Sequence, residues 1–196
     1  DAAQGVRAAL ERGALAAVGL LGRSDGFLGN PQVRIPLPEH LASAAKFLKA
    51  AGQGKKLDEL VTAMNRAAEA AVPVAKPIFV SAVKALSVED ALKLVRGSGT
   101  SVTEFFAGKT RSPLSEKFLP IVTQSVEKLS VAQRYNALAG KAASLGLIKG
   151  DEANVQQYVT GRALDGVFLM IGEEEKKIRA DPLKTGSAIL KKVFGG

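Results

Sequence analysis

The chain has 196 residues, 46% of them apolar, and 27 basic against 19 acidic side chains give it a formal charge of +8. That length supports one well-buried core, so a single domain over residues 1–196 is expected. With no cysteine and one histidine, His40, the chain excludes disulfides, thiolate nucleophiles, zinc ribbons and His-rich metal sites.

Apolar spacing of three and four predicts helices from end to end. Val6, Leu10, Ala14, Ala17, Val18 and Leu21 mark a first helix over 2–21, rich in the best helix formers. Residues 22–37, GRSDGFLGNPQVRIPL, have no helical period. In this stretch Val33, Ile35 and Leu37 alternate with Arg34 and Pro36, as in an extended segment with one apolar edge. It reads as an arm strapped across the bundle through Phe27, Leu28, Val33, Ile35 and Leu37; the alternative is a lid whose Arg23, Asp25, Asn30 and Arg34 meet a ligand. Pro38 then opens a helix over 39–51, which places His40 on the surface.

A long helix over 57–86 follows, with Pro73 and Pro77 expected to kink or divide it. Ser87 with Asp90 resembles a capping box for a short helix ending at Gly97. Residues 101–108 and 112–126 read as two helices, the second bent at Pro120, and Ser130 with Gln133 opens another over 131–145. Asp151 or Asn154 caps the segment 155–179, and Asp181 with Pro182 starts a terminal helix to Phe194. The sum is an all-α, single compact bundle of about eight or nine helices around a long helix in the C-terminal half, with an extended N-terminal loop arm. No solenoid-length repeat is evident.

The segment 155–179, VQQYVTGRALDGVFLMIGEEEKKIR, combines helix-length apolar content with charges. Charges that packing buries need partners, which makes this helix the expected centre of the fold. On a wheel of about 100° per residue, Arg162, Asp165, Leu169 and Glu173 share a side with Val155 and Val159, so they are expected to face something packed. Of the glutamates 173–175, two are expected to be solvated. Gly161, Gly166 and Gly172 suggest close approach of neighbouring backbones or a break for ligand access. On the helix 57–86, Asn65 and Glu69 lie at the border of the apolar face and are expected to pair with Arg or Lys from elsewhere, Arg162 or Arg179 being candidates.

Catalytic chemistry finds little support. Asp165 and Glu173 lie about 12 Å apart along a helix axis, too far to share one metal ion unaided, and no Glu-x-x-His pair exists for a di-iron bundle. There is no Gly-x-Ser-x-Gly elbow, Ser-x-x-Lys or phosphate-binding loop. No catalytic residue, metal or cofactor is assigned, although an enzyme using Asp, Glu and Arg alone stays open. The basic surplus is greatest over 101–150, where Lys109, Arg111, Lys117, Lys128, Arg134, Lys141 and Lys149 could attract phosphates, anionic headgroups or an acidic protein. The same charges also suit a plain solvated face. An aromatic content of 5% with no Trp argues against nucleic acid. No window approaches the ~18 apolar residues of a membrane-spanning helix.

Five strings carry a resemblance: DGFLGNPQVRIPLPE (25–39), MNRAAEAAVPVAK (64–76), FLPIV (118–122), YNALAGKAA (135–143), and ALDGVFLMIGEEEKKIRADP with GSAILKKVFG (163–195). Together, and in this order, they make the chain resemble the bacterial family catalogued as domain of unknown function 4197, over essentially its whole length. The resemblance implies no known activity and no catalytic residues. It implies a periplasmic or envelope location, as the mature part of a protein whose export or lipoprotein-like leader has been removed.

The expected function is therefore a helical binding or interaction protein of the bacterial envelope, not an enzyme. It would hold an apolar or amphiphilic, lipid-like ligand or an envelope protein, with peripheral membrane association open. Candidate binding residues are Arg162, Asp165, Glu173, Asn65, Glu69, Arg23 and Arg34. A structural scaffold without ligand is the alternative, and an enzyme of unrecognised type the third reading.

Overall fold

A computed structural model describes residues 2–39, 49–52, 54–146 and 154–181, and the regular secondary structure among them is entirely helical. Helix α1 is Ala2–Leu21, with Val6, Leu10, Ala14, Ala17 and Leu21 turned into the core. Helix α2, Gly54–Ala71, leads through a 3-10 turn, Val72–Val74, into α3, Ala75–Lys84. The prolines fall where they cost least. Pro73 lies at the start of the 3-10 turn, and Pro77 in the first turn of α3, where backbone N–H groups lack intrahelical acceptors anyway.

The chain then bends by 106° into α4, Val88–Arg96. Ser87 caps α4 as its spacing predicts, its hydroxyl accepting from the Asp90 N–H at 3.0 Å. Helix α5 is Ser101–Val126, α6 is Ser130–Ser144 and α7 is Val155–Ala180. Asn154 caps α7, accepting from the Gln157 N–H at 2.8 Å, and Asp151 lies outside the described residues.

Residues 101–108 and 112–126, expected as two helices, form the single rod α5. Pro113 and Pro120 are both exposed, so the carbonyls they leave without a donor face water rather than the core. The buried side chains of α5 recur strictly every fourth residue, from Val102 through Phe106, Thr110, Leu114, Phe118 and Val122 to Val126. A four-residue repeat drifts by about 40° per step on a helix of 3.6 residues per turn. The apolar stripe therefore winds around α5, which packs against α7, α2, α3 and α4.

With Gly54–Lys84 counted once, the described residues hold six helices, not eight or nine. The merger within α5 removes one. Most of the helix expected over 39–51, including His40, and the terminal helix expected to Phe194 lie outside the described residues.

Helices α5 and α7 make the main packing pair, with α2 against both and α1 against α7 and α3. Phe79 of α3 joins them, lying edge-on to Phe106 of α5 at 5.3 Å and to Phe168 of α7 at 6.5 Å. The segment 22–37 is an arm, as its alternation predicts: Phe27, Val33 and Ile35 are buried, Leu28 and Leu37 half-buried, and Arg34 is exposed.

Candidate functional site

Helix α7 is buried on most of its circumference, through Val155, Val159, Ala163, Val167 and Ile171 among others. The expected polar stripe is its exception. Arg162, Asp165 and Leu169 are exposed and Glu173 half-buried, so they do not face packed structure. Asp165 pairs with Arg111 of α5 at 2.9 Å, with both side chains about half in water (58% and 46% exposed). Glu173 pairs with Lys176 at 3.1 Å, and Arg162 lies over the Tyr158 ring at 5.6 Å.

The wheel failed because neighbours cover a long helix unevenly. Near its start, Asn136 of α6 accepts from the Val155 N–H at 2.7 Å and donates to Gln156 at 3.0 Å, while the Tyr158 hydroxyl donates to Pro36 O of the arm at 2.7 Å. The side that carries Val155 and Val159 is covered there and opens to water from Arg162 onward.

The glycines of α7 also differ. A Cβ on Gly166 would come within 2.8 Å of Phe27 Cε1, so this glycine admits the arm's aromatic ring. Gly172 has only ordinary contact with Thr103 at 3.5 Å, and Gly161 faces open space.

The interior ionic group of α7 is Glu175, a residue that spacing alone did not single out. Its carboxylate accepts from the Val102 N–H (3.2 Å), the Thr103 N–H (3.0 Å) and the Thr103 hydroxyl (2.8 Å), capping α5 from outside that helix. Arg179 closes the arrangement. It pairs with Glu175 at 2.9 Å and donates at 2.9 to 3.0 Å to Val95 O and Leu94 O at the C-terminal end of α4 and to Ser101 Oγ at the start of α5. One ion pair therefore ties two helix ends to α7, and the expected partnership of Arg179 with Asn65 or Glu69 does not form.

Asn65 and Glu69 instead hold the arm. Asn65, fully buried, accepts from the Ile35 N–H at 2.8 Å and donates to Ile35 O at 3.0 Å, pairing with the arm's backbone as a neighbouring strand would. Glu69 accepts from the Asp25 N–H at 2.7 Å and from Arg66 of its own helix at 2.8 Å. Arg66 reaches on to the Asp25 carboxylate at 2.9 Å. The hydrogen bond to Glu69 raises the Arg66 pKa above its ordinary value; desolvation opposes this, and the Coulombic pull of Glu69 and Asp25 adds to it. Asp25 has φ 64°, a left-handed conformation that Asp tolerates better than most residues. A Cβ on the following Gly26 would collide with Leu21 O. Arg23 and Arg34 are exposed and apart from these clamps.

Between α2 and α7 the described residues of the arm are packed, Phe27 and Val33 against Gly166 and Ile35 against Asn65. The apolar pocket beside Glu175 and Arg179 has a volume of about 20 Å³, enough for a water and no more. Ligand-sized space occurs on the surface. A groove of about 690 Å³ lies between α3, α4 and α5, its floor formed by Ile78, Ala82, Leu86, Leu94 and Phe105 and its edges carrying Asp90, Lys93 and Lys109. A second, about 770 Å³, runs between α5 and α7 and is more polar, with Arg111, Ser112, Ser115 and Gln157. The first has the apolar floor and sparse polar groups typical of small-molecule sites. Lys109 belongs to the surplus cations of 101–150, but its place in a groove is not legible in the sequence, because the 106° corner that forms one wall has no short-range signature.

Among the described residues no cluster of His, Asp or Glu could hold a metal ion, and no single helix is long and apolar enough to cross a membrane. The model of the family described as protein of unknown function (DUF4197) matches residues 1–195, and the chain belongs to that family. No curated protein and no solved structure matches it.

Proposed function

We propose that this protein is a non-enzymatic binding module of the bacterial envelope whose ligand is an amphiphile seated in the groove between α3, α4 and α5. The observation that carries the reading is the groove itself: about 690 Å³, apolar at its floor and charged only at its edges. The strip on α7 where a ligand was expected presents an exposed ion pair beside a filled interior and supports binding less well. The interior carboxylates available for acid–base work, Glu69 and Glu175, are each engaged by an Arg and by backbone N–H donors, which favours a structural role for them. The envelope location rests on the family resemblance, and the +8 charge suits peripheral contact with anionic membrane surfaces.

A scaffold working through an apolar face has weaker support. The exposed large apolar side chains among the described residues, Val88, Leu145 and Leu169, sit on separate elements, where a docking face would need them contiguous.

The test is native mass spectrometry of protein purified from its own envelope fraction, beside the variant Ala82→Trp, which fills the groove. The wild-type protein is expected to carry a small amphiphile that the variant lacks at unchanged helical content. A ligand-free spectrum for the wild type, or equal loading of the variant, defeats the proposal.

A further inference from the structure

We infer that the polar end of the ligand is a zwitterion, its cationic group placed at Asp90 and its anionic group at Lys109, an inference that rests on the amphiphile-binding reading above. Three charged residues line the groove: Asp90, Lys93 and Lys109. Lys93 already pairs with Glu89 along α4 at 3.3 Å. Asp90 uses its backbone N–H in the Ser87 cap, but among the described residues its carboxylate has no ion-pair partner, and neither does the Lys109 ammonium. The two stand on different helices, α4 and α5, at the edges of one apolar floor, and do not pair with each other.

That arrangement discriminates among head groups by charge complementarity. A purely anionic head gains Lys109 but is repelled by Asp90, and a purely cationic head meets the reverse. A neutral head leaves both charges to water. Only a head carrying both signs pairs with both residues while its chain covers Phe105, Leu86 and Leu94. A single-chain alkyl phosphoethanolamine has this chemistry, with phosphate toward Lys109 and ammonium toward Asp90.

The experiment compares four amphiphiles of equal chain length, each below its micellar concentration, by titration calorimetry: dodecyl phosphoethanolamine, dodecanoate, dodecylammonium and dodecyl maltoside. The zwitterion is expected to bind about tenfold more tightly than the maltoside, as two exposed ion pairs of about threefold each would give. Asp90→Asn and Lys109→Gln should each cut that margin to about threefold, and together erase it while leaving maltoside affinity unchanged. Equal affinity for all four, or a singly charged amphiphile binding as tightly as the zwitterion, overturns the inference and leaves the groove reading standing. If none of the four binds, the groove reading itself falls and the inference with it.

Discussion

Two carboxylates on one helix divide the molecule into its structural and its wetted parts. Asp165 and Glu175 stand less than three turns apart on α7, and each meets an arginine at 2.9 Å. Around Asp165 both partners are about half in water and neither binds anything else in the described structure. Around Glu175 the carboxylate is 3% exposed, caps the start of α5, and is held by an arginine that also serves the end of α4. Equal distances therefore conceal unequal consequences. An exposed pair is screened by water and salt, whereas removing one member of a buried pair strands the other together with every donor it served.

The comparison breaks most visibly at Glu175. Glu175→Ala is expected to cost about 3 to 5 kcal/mol in denaturant unfolding, since it leaves Arg179 uncompensated and orphans two backbone N–H groups of α5. Glu175→Gln, which keeps an acceptor and loses the charge, should cost less. Equal and small losses for both would mean that the junction of α4 and α5 does not depend on this residue.

Next in size is the arm. Asn65→Ala removes both hydrogen bonds to Ile35 from a fully buried site and is expected to cost about 2 to 4 kcal/mol. Hydrogen exchange should report it locally, with the Ile35 amide losing protection while the amides of α5 keep theirs. Uniform loss across the chain would show that the arm is not a separately held element.

Gly166→Ala comes third. The added methyl meets Phe27 at 2.8 Å, and overpacking of this kind costs about 1 to 3 kcal/mol. Phe27→Leu should recover part of the loss in the double variant, although it is destabilising alone. Gly161→Ala, with open space around its Cβ, is expected to stabilise by up to about 1 kcal/mol through helix propensity. A matching loss at Gly161 would show that the contrast between the two glycines does not come from steric crowding by the arm.

The same contrast explains which parts of the molecule were legible in the sequence. Short-range rules worked where the physics is local: the Ser87 cap, the division of the helix 57–86 at Pro73 and Pro77, and the alternation of Val33, Ile35 and Leu37 in the arm all carry their meaning within a few residues. They failed where a neighbour decides. The four-residue stripe of α5 winds around its helix, so no single face announces one continuous rod through Pro113. Glu175 looks like any member of a solvated Glu-Glu-Glu run until the start of α5 is placed against it. Of the expected site residues, Asn65 and Glu69 converge on the arm and Asp165 meets Arg111, while Arg162, Glu173, Arg23 and Arg34 stand apart from both clusters. The surface groove depends on a corner between two helices, a long-range feature that no local spacing encodes.

The smallest expected effect makes the sharpest control. Were Asp165 paired in the interior, as the helical wheel suggested, Asp165→Ala would cost about 3 kcal/mol or more. Its exposed pairing with Arg111 instead limits the loss to about 1 kcal/mol or less. Salt separates the two situations further, because the Debye length falls from about 10 Å at 0.1 M to about 3 Å at 1 M. The difference between wild type and Asp165→Ala should therefore shrink toward zero at high salt, while that for Glu175→Ala persists. A double-mutant cycle with Arg111→Ala isolates the pair itself, with a coupling expected within about 1 kcal/mol. A coupling several times larger and insensitive to salt would place Asp165 among the residues that hold the fold together, and the division between the two ends of α7 would be lost.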